Sequence, residues 1–370
     1  MKNILITGGA GFIGSFLTDE LVKKGYNVRV FDNLEPQVHG DKKPSYLNHK
    51  AEFIKGDVKD YNSFKKALKG IDVVYHLAAS VGVGQSNYDI KKYTDVNIGG
   101  MATLWDIVIN EKLPIKKIVM TASMTSYGEG DCRCKTCGIV QPALRTEKQM
   151  KKKDWSLYCP NCKKVVIPIA TKERSQSNNN SIYALTKNMQ ESMLMLLGKI
   201  YKIPVVSLRC FNVYGPRQSL SNPYTGVSAI FISRLKNGNN PVVYEDGLQS
   251  RDFISVHDVV DALILVMENK NANYEIFNMG SGIPTSIKEI AEKLGKLLKK
   301  NIQPKISGEF RINDIRHCYA DISKVKKQLA WKPKITLEQG LKELIAWSEN
   351  EKAVDTFDKA EKELKKKNLL

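Results

Sequence analysis

The chain has 370 residues, 42% apolar and 26% charged, the composition of a soluble globular protein with length for about two domains. Lysine and arginine outnumber aspartate and glutamate 57 to 39, a formal charge of +18, yet most lysines are scattered along helix faces and no aromatic–basic recognition motif accompanies them, so a solvated basic surface or a phosphorylated small molecule fits better than nucleic acid. No apolar run reaches the ~18 residues of a membrane span, and the opening MKNILITGG is too short and too glycine-rich for a signal peptide, so the expectation is a cytoplasmic protein with neither membrane nor nucleic acid as partner.

In chain order, apolar runs at 3–7, 27–31, 52–54, 73–77 and 117–121 predict buried parallel strands, with helices at 13–24, 63–68 and 93–109 between them. This alternation predicts an α/β fold of Rossmann type, a doubly wound parallel sheet. The first strand runs straight into Gly8, Gly11 and Gly14, and a helix follows. That arrangement turns the backbone tightly and offers free helix amides to a pyrophosphate, so Gly8, Gly11, Phe12, Ile13 and Gly14 are candidate cofactor contacts. Asp32, with Asn33 beside it, ends the second strand. An acid there accepts hydrogen bonds from an adenosine ribose and repels a 2′-phosphate, which favours NAD over NADP. Asp57 and Val58 after the third strand, and Leu77, Ala78 and Ala79 after the fourth, fit the rest of the cofactor cleft, with His76 structural.

Residues 128–172 interrupt the alternation. Cys134 and Cys137, then Cys159 and Cys162, form two C-x-x-C pairs with 21 residues between them, a spacing that predicts a structural zinc site closed by four thiolates. Cys132 is a spare that can replace Cys134, while Cys210 and Cys318 suit a core. The insertion leaves the strand ending in a hydroxyl cluster (Ser123, Thr125, Ser126, Tyr127) and returns to a helix at 181–201, so it belongs near the carboxyl ends of the strands. That helix carries Tyr183 and Lys187, which share a face at i, i+4; a nearby ammonium favours the ionised phenol. Three other Tyr-x-x-x-Lys pairs (Tyr46/Lys50, Tyr61/Lys65, Tyr88/Lys92) lack that position after the fifth strand. A strand at 204–208 follows, then helices at 226–237, 256–268 and 287–300. The expected domains are 1–127 with 173–210 for the cofactor, 128–172 as a zinc ribbon, 211–350 as a smaller substrate domain with segments returning to the first, and 351–370 as a charged helical tail with a frayed end.

The stretches TGGAGFIGS, Asp32, HLAA, SMTSYG, YALTK, RCFNVYGPRQ and SRDFISVHDV occur in one order over about residues 1–350. In them the chain resembles the extended short-chain dehydrogenase/reductase family. The resemblance implies that Ser123 and Tyr183 contact the sugar hydroxyl being oxidised, that Lys187 also holds the nicotinamide ribose, and that Thr125, Asn212, Arg217, Arg251 and Arg311 serve a nucleotide-diphosphate sugar. It also implies a homodimer. Related 4,6-dehydratases need an acid pair after the strand-five hydroxyl; Met124 and Thr125 stand there and move no proton at neutral pH. The pattern is similar to nucleotide-sugar 4-epimerases, UDP-glucose 4-epimerases among them. LEPQVHG, GVGQS, the cysteine insertion and NPYTGV most resemble bacterial dTDP-L-rhamnose 4-epimerase-like proteins. The implied activity is NAD-dependent epimerisation through a transient 4-keto sugar. The alternatives are a dehydrogenase, reductase or 2-epimerase of the same family, or a binding protein that kept the fold. The sugar, the base and the ribbon's task stay open.

Overall fold

The structure, a computed structural model, describes residues 2–40, 43–299 and 303–370. Its first half alternates β1 (Asn3–Thr7), α1 (Phe12–Lys23), β2 (Asn27–Asp32), β3 (Glu52–Lys55), α2 (Tyr61–Leu68), β4 (Val73–His76), α3 (Gly100–Asn110) and β5 (Lys117–Ser123). After three short strands of the insertion, β6 (Cys132–Cys134), β7 (Gly138–Val140) and β8 (Ile167–Pro168), come α4 (Ile182–Ile200) and β9 (Val205–Cys210). The remainder runs β10 (Asn212–Tyr214), α5 (Val227–Lys236), β11 (Val242–Val243), β12 (Ser250–Ser255), α6 (Val256–Glu268), β13 (Glu275–Met279), β14 (Pro284–Ser286), α7 (Ile287–Leu297), β15 (Lys305–Ile306), β16 (His317–Cys318), α8 (Ser323–Leu329), α9 (Leu337–Glu349) and α10 (Phe357–Lys366).

Seven of these strands form one parallel sheet in the order β13-β9-β5-β4-β1-β2-β3. Its central strands are apolar on both faces because helices cover both; every residue of β5 is buried. On one face, Leu17 and Leu21 of α1 meet Val259, Leu263 and Val266 of α6. On the other, Phe64 of α2, Trp105 of α3 and Leu194 of α4 share a second core. The chain runs outward from β1 to β2 and β3 and then crosses to β4 on the other side of β1, so a crevice opens at the carboxyl ends of β1 and β4, where doubly wound sheets bind ligands.

A smaller sheet, β10-β12-β14 with β16 beside β12, packs under α5, α7 and α9 through Phe231, Ile232, Leu294, Leu341 and Leu344. The insertion makes its own antiparallel sheet, β7-β6-β8, although its sequence shows no strand period. The helix expected at 93–109 is broken: a π-helical turn, Thr94–Gly99, precedes α3, and Asn97 in it is fully buried. The tail also departs from expectation. Ala360 and Leu364 of α10 are buried, and beyond the helix Leu369 O accepts the Ile312 amide at 3.1 Å. Apolar residues at 357, 360 and 364 give this charged helix one packable stripe, so its end docks instead of fraying.

Candidate active site

The turn after β1 fits a dinucleotide. Gly8 has φ +68°, and a Cβ there would lie 2.8 Å from the Ala78 amide nitrogen; at Gly14 it would lie 2.2 Å from Gly8 O. Only glycine permits this close crossing of strand ends. Gly11 caps α1 without a side-chain bond, so the first amides of α1, those of Phe12 and Ile13, are free to face an anion. Asp32 closes β2 nearly buried; its Oδ2 takes the Ala10 amide at 3.0 Å and its Oδ1 the Leu34 amide at 2.9 Å, which leaves a lone pair on each oxygen for a ribose. Asn33 donates to Asp57 at 3.2 Å, Val58 is buried beside them, and Thr7 holds Leu77 and Ala78 by their amides. Ala79 continues this edge, half-buried. His76 bonds Thr7 through Nδ1, and burial drops its pKa to about 3, as suits a structural neutral ring.

Ser123 is the last residue of β5, two residues beyond the expected strand end, in register with Cys210. Its Oγ accepts from the Thr125 amide at 3.2 Å and from Thr125 Oγ1 at 2.9 Å. Tyr183 and Lys187 project from the first turns of α4, which packs against β5 and the turn after it and brings the Tyr183 phenol beside Ser123. Burial pushes the phenol up to about 12, with the Ser123 bond pulling the other way; burial likewise lowers Lys187 to about 8. A half-buried phenol, a hydroxyl and an ammonium of depressed pKa at the mouth of the crevice can move a proton to and from a sugar hydroxyl. The other Tyr-x-x-x-Lys pairs do different things: Tyr61 and Lys65 both reach Glu111, Tyr46 bonds Ala10 O and Tyr88 bonds Tyr224.

Residues outside the predicted site hold this pair in place. Ser86 and Asn87 accept the amides of Tyr183 and Ile182, and Ser181 caps α4 through the Ala184 amide. The Tyr93 ring meets Tyr183 edge-on at 6.4 Å. Asn97, in the π turn, accepts the Ser80 amide and donates to Thr186. Such a turn often marks a functional site, but nothing in the local spacing announces it.

The predicted substrate residues separate. Asn212, in β10, has no side-chain hydrogen bond among the described residues. Arg251 donates to the carbonyls of Ser250, Ile315 and Arg316 and to Asp314 Oδ1. Arg311 grips Asp314 Oδ2, lies over the Tyr244 ring at 5.4 Å, and remains 41% exposed, so it keeps donors for a ligand. Arg217 is elsewhere: it pairs with Asp19 at 2.7 Å and covers the Phe16 and Tyr46 rings, next to the glycine turn.

In the insertion, the sulfurs of Cys134, Cys137, Cys159 and Cys162 all lie within 4.8 Å of one another. The backbone amides of Cys137 and Thr136 pull the Cys134 thiol down to about 6, and the Cys162 and Asn161 amides lower that of Cys159. A tetrahedral thiolate site needs this clustering and this amide support. Cys132 stands apart, bonded to Gly130 O, with its thiol pushed up to about 12 by burial. The insertion docks on segment 314–321: Gly130 donates to His317 O and Thr171 to Tyr319 O.

A family model described as NAD dependent epimerase/dehydratase matches residues 4–144 and 157–280. The chain belongs to that family. It is 35% identical over 350 residues to a dTDP-L-rhamnose 4-epimerase of Burkholderia thailandensis, covering 94% of each chain. A crystal structure of UDP-glucose 4-epimerase from Thermotoga maritima with UDP-glucose superposes with a TM-score of 0.78 at 30% identity, covering 94% of this chain and 98% of that one. A UDP-glucuronic acid 4-epimerase from Bacillus cereus, solved with UDP-glucuronic acid and NAD, gives 0.77 at 27% identity, covering 94% and 99%. Among the described residues, no helix is long and apolar enough to cross a membrane.

Proposed function

We propose that this protein is an NAD-dependent nucleotide-sugar 4-epimerase. The observation that carries the proposal is the placement of Tyr183, one turn from Lys187 on α4, beside Ser123 at the end of β5 and the crevice of a dinucleotide-binding sheet. NAD, held by the Gly8–Gly14 turn, Asp32, Asn33, Asp57, Val58, Leu77, Ala78 and Ala79, supplies the acceptor and donor of the C4 hydride. Tyr183 removes the 4-OH proton and later returns it, Ser123 orients that oxygen, and Lys187 biases the phenol toward its ionised form and holds the ribose. Thr125 keeps Ser123 oriented and borders the sugar. The smaller sheet with its helices serves as a substrate domain in which Asn212, Arg251 and Arg311 grip the nucleotide diphosphate, a task suited to guanidinium forks. Arg217, turned to the glycine loop, supports the cofactor side more than the sugar. The cysteine cluster binds one structural zinc. Leu185, Met189, Leu196 and Ile200 form an exposed apolar stripe along α4, which supports a homodimer through this helix.

The test is a panel of UDP-, dTDP-, GDP- and CDP-sugars with the products read by NMR. One sugar should equilibrate with its 4-epimer without added NAD or NADH, and denaturing the same preparation should release NAD. Stoichiometric consumption of added NAD or NADH would make the protein a dehydrogenase or reductase instead, and release of NADP would contradict the role given to Asp32.

A further inference from the structure

Arg145 belongs to the insertion, yet its guanidinium is 1% exposed and lies against Glu245 and Asp314 of the segments that precede β12 and β16. Nη1 and Nη2 donate to the two carboxylate oxygens of Glu245 at 2.8 and 2.9 Å, and Nη2 also donates to the backbone carbonyl of Asp314 at 3.1 Å. Its Nε sits 3.6 Å from Glu129, a fully buried carboxylate that takes the amides of Arg316 and His317. Glu245 is shared with Arg316 at 2.7 Å. The next layer is Asp314: its carboxylate holds Arg251 through Oδ1 at 3.2 Å and Arg311 through Oδ2 at 3.0 Å.

One fork therefore fixes the backbone of the residue that aims two arginines at the proposed diphosphate site. Burial strengthens each of these bonds by keeping water out. A lysine carries the charge but has no planar fork, and it reaches Glu245 and the Asp314 carbonyl together only with distortion. We propose that Arg145 is a positioning residue for nucleotide-diphosphate recognition, through which the insertion sets substrate affinity without touching the substrate. This rests on the roles given above to Arg251 and Arg311.

The experiment uses the full chain with its cofactor. Arg145→Lys and Glu245→Gln, each checked for retained NAD, are compared with the parent and with Arg311→Ala. UDP and dTDP binding is measured by calorimetry, and kcat and KM are measured with the sugar the panel identifies. Arg145→Lys should weaken the preferred diphosphate and raise KM roughly tenfold, about the loss of one charge-assisted bond, with kcat within about twofold. Glu245→Gln, which keeps the shape, should move in the same direction by less, and it carries the test if Arg145→Lys does not fold. Unchanged diphosphate binding in both Arg145→Lys and Glu245→Gln while Arg311→Ala is weakened overturns the inference and spares the proposed function. So does a fall in kcat at constant KM. If Arg311→Ala binds both diphosphates like the parent, the assignment of the arginines itself fails, and the inference with it.

Discussion

Tyr183→Phe should bind the nucleotide sugar and NAD and fail to turn the sugar over. The substitution removes one oxygen and keeps the ring that meets Tyr93 edge-on, so packing survives. What it loses is the phenol beside Ser123, and hydride cannot leave a carbinol carbon without the hydroxyl proton leaving too. The fall should exceed the ~10²–10⁴-fold usual for one acid–base group, because no neighbour substitutes. Ser123→Ala should cost less: it removes one hydrogen bond to the same oxygen and leaves the base. Rapid-quench turnover with binding followed separately distinguishes the steps. A Tyr183→Phe protein working near the parental rate would remove the phenol from the chemistry.

Replacing Cys159 and Cys162 by serine should have the largest effect on structure. The small core of the insertion is built from Cys132, Cys134, Val140, Leu157, Cys159 and Val166, with Cys137 and Cys162 packed against it. Half of its buried members are thiols, too little apolar surface to order the segment alone. Binding of a four-thiolate zinc is worth ~10–16 kcal/mol in small zinc-finger peptides, so its loss should unfold the ribbon, raise KM and leave NAD on the sheet domain. The readouts are elemental analysis, expected to fall from one zinc per chain to none, and KM. A parent protein without zinc or iron would remove the metal. Metal lost with kinetics unchanged would leave the ribbon a task away from the substrate.

Spacing makes legible the chemistry that is local in the chain. A glycine turn, an acid at a strand end, a tyrosine and lysine one turn apart and paired cysteines each occupy a few consecutive residues, so spacing exposes Gly8–Gly14, Asp32, Tyr183/Lys187 and Cys134–Cys162. The parallel strands are legible for a similar reason, since burial on both faces leaves unbroken apolar runs. What spacing leaves hidden is long-range and polar. Arg145 finds Glu245 across 100 residues, and Asn97 finds Thr186 across 89; neither carries a period. The docking of α10 is hidden as well, because three apolar positions among many lysines look solvated until Tyr224, Tyr244 and Gly84 are placed against Glu363, Glu361 and Leu364.

The order in which the chain visits the two sheets limits how the protein can deform. It leaves the large sheet after β9, returns through α6 to β13, leaves again for β14, comes back with α8 against β13, and departs once more for α9. A cleft between lobes joined by one linker swings like a door on a single hinge. Here several peptide connections lie side by side along the seam, each a strut that resists the rotation another would allow. Compliance is left to the parts looped out between struts, the surface loops. A sugar that must present both faces to one cofactor is thereby turned inside a frame that itself stays stiff.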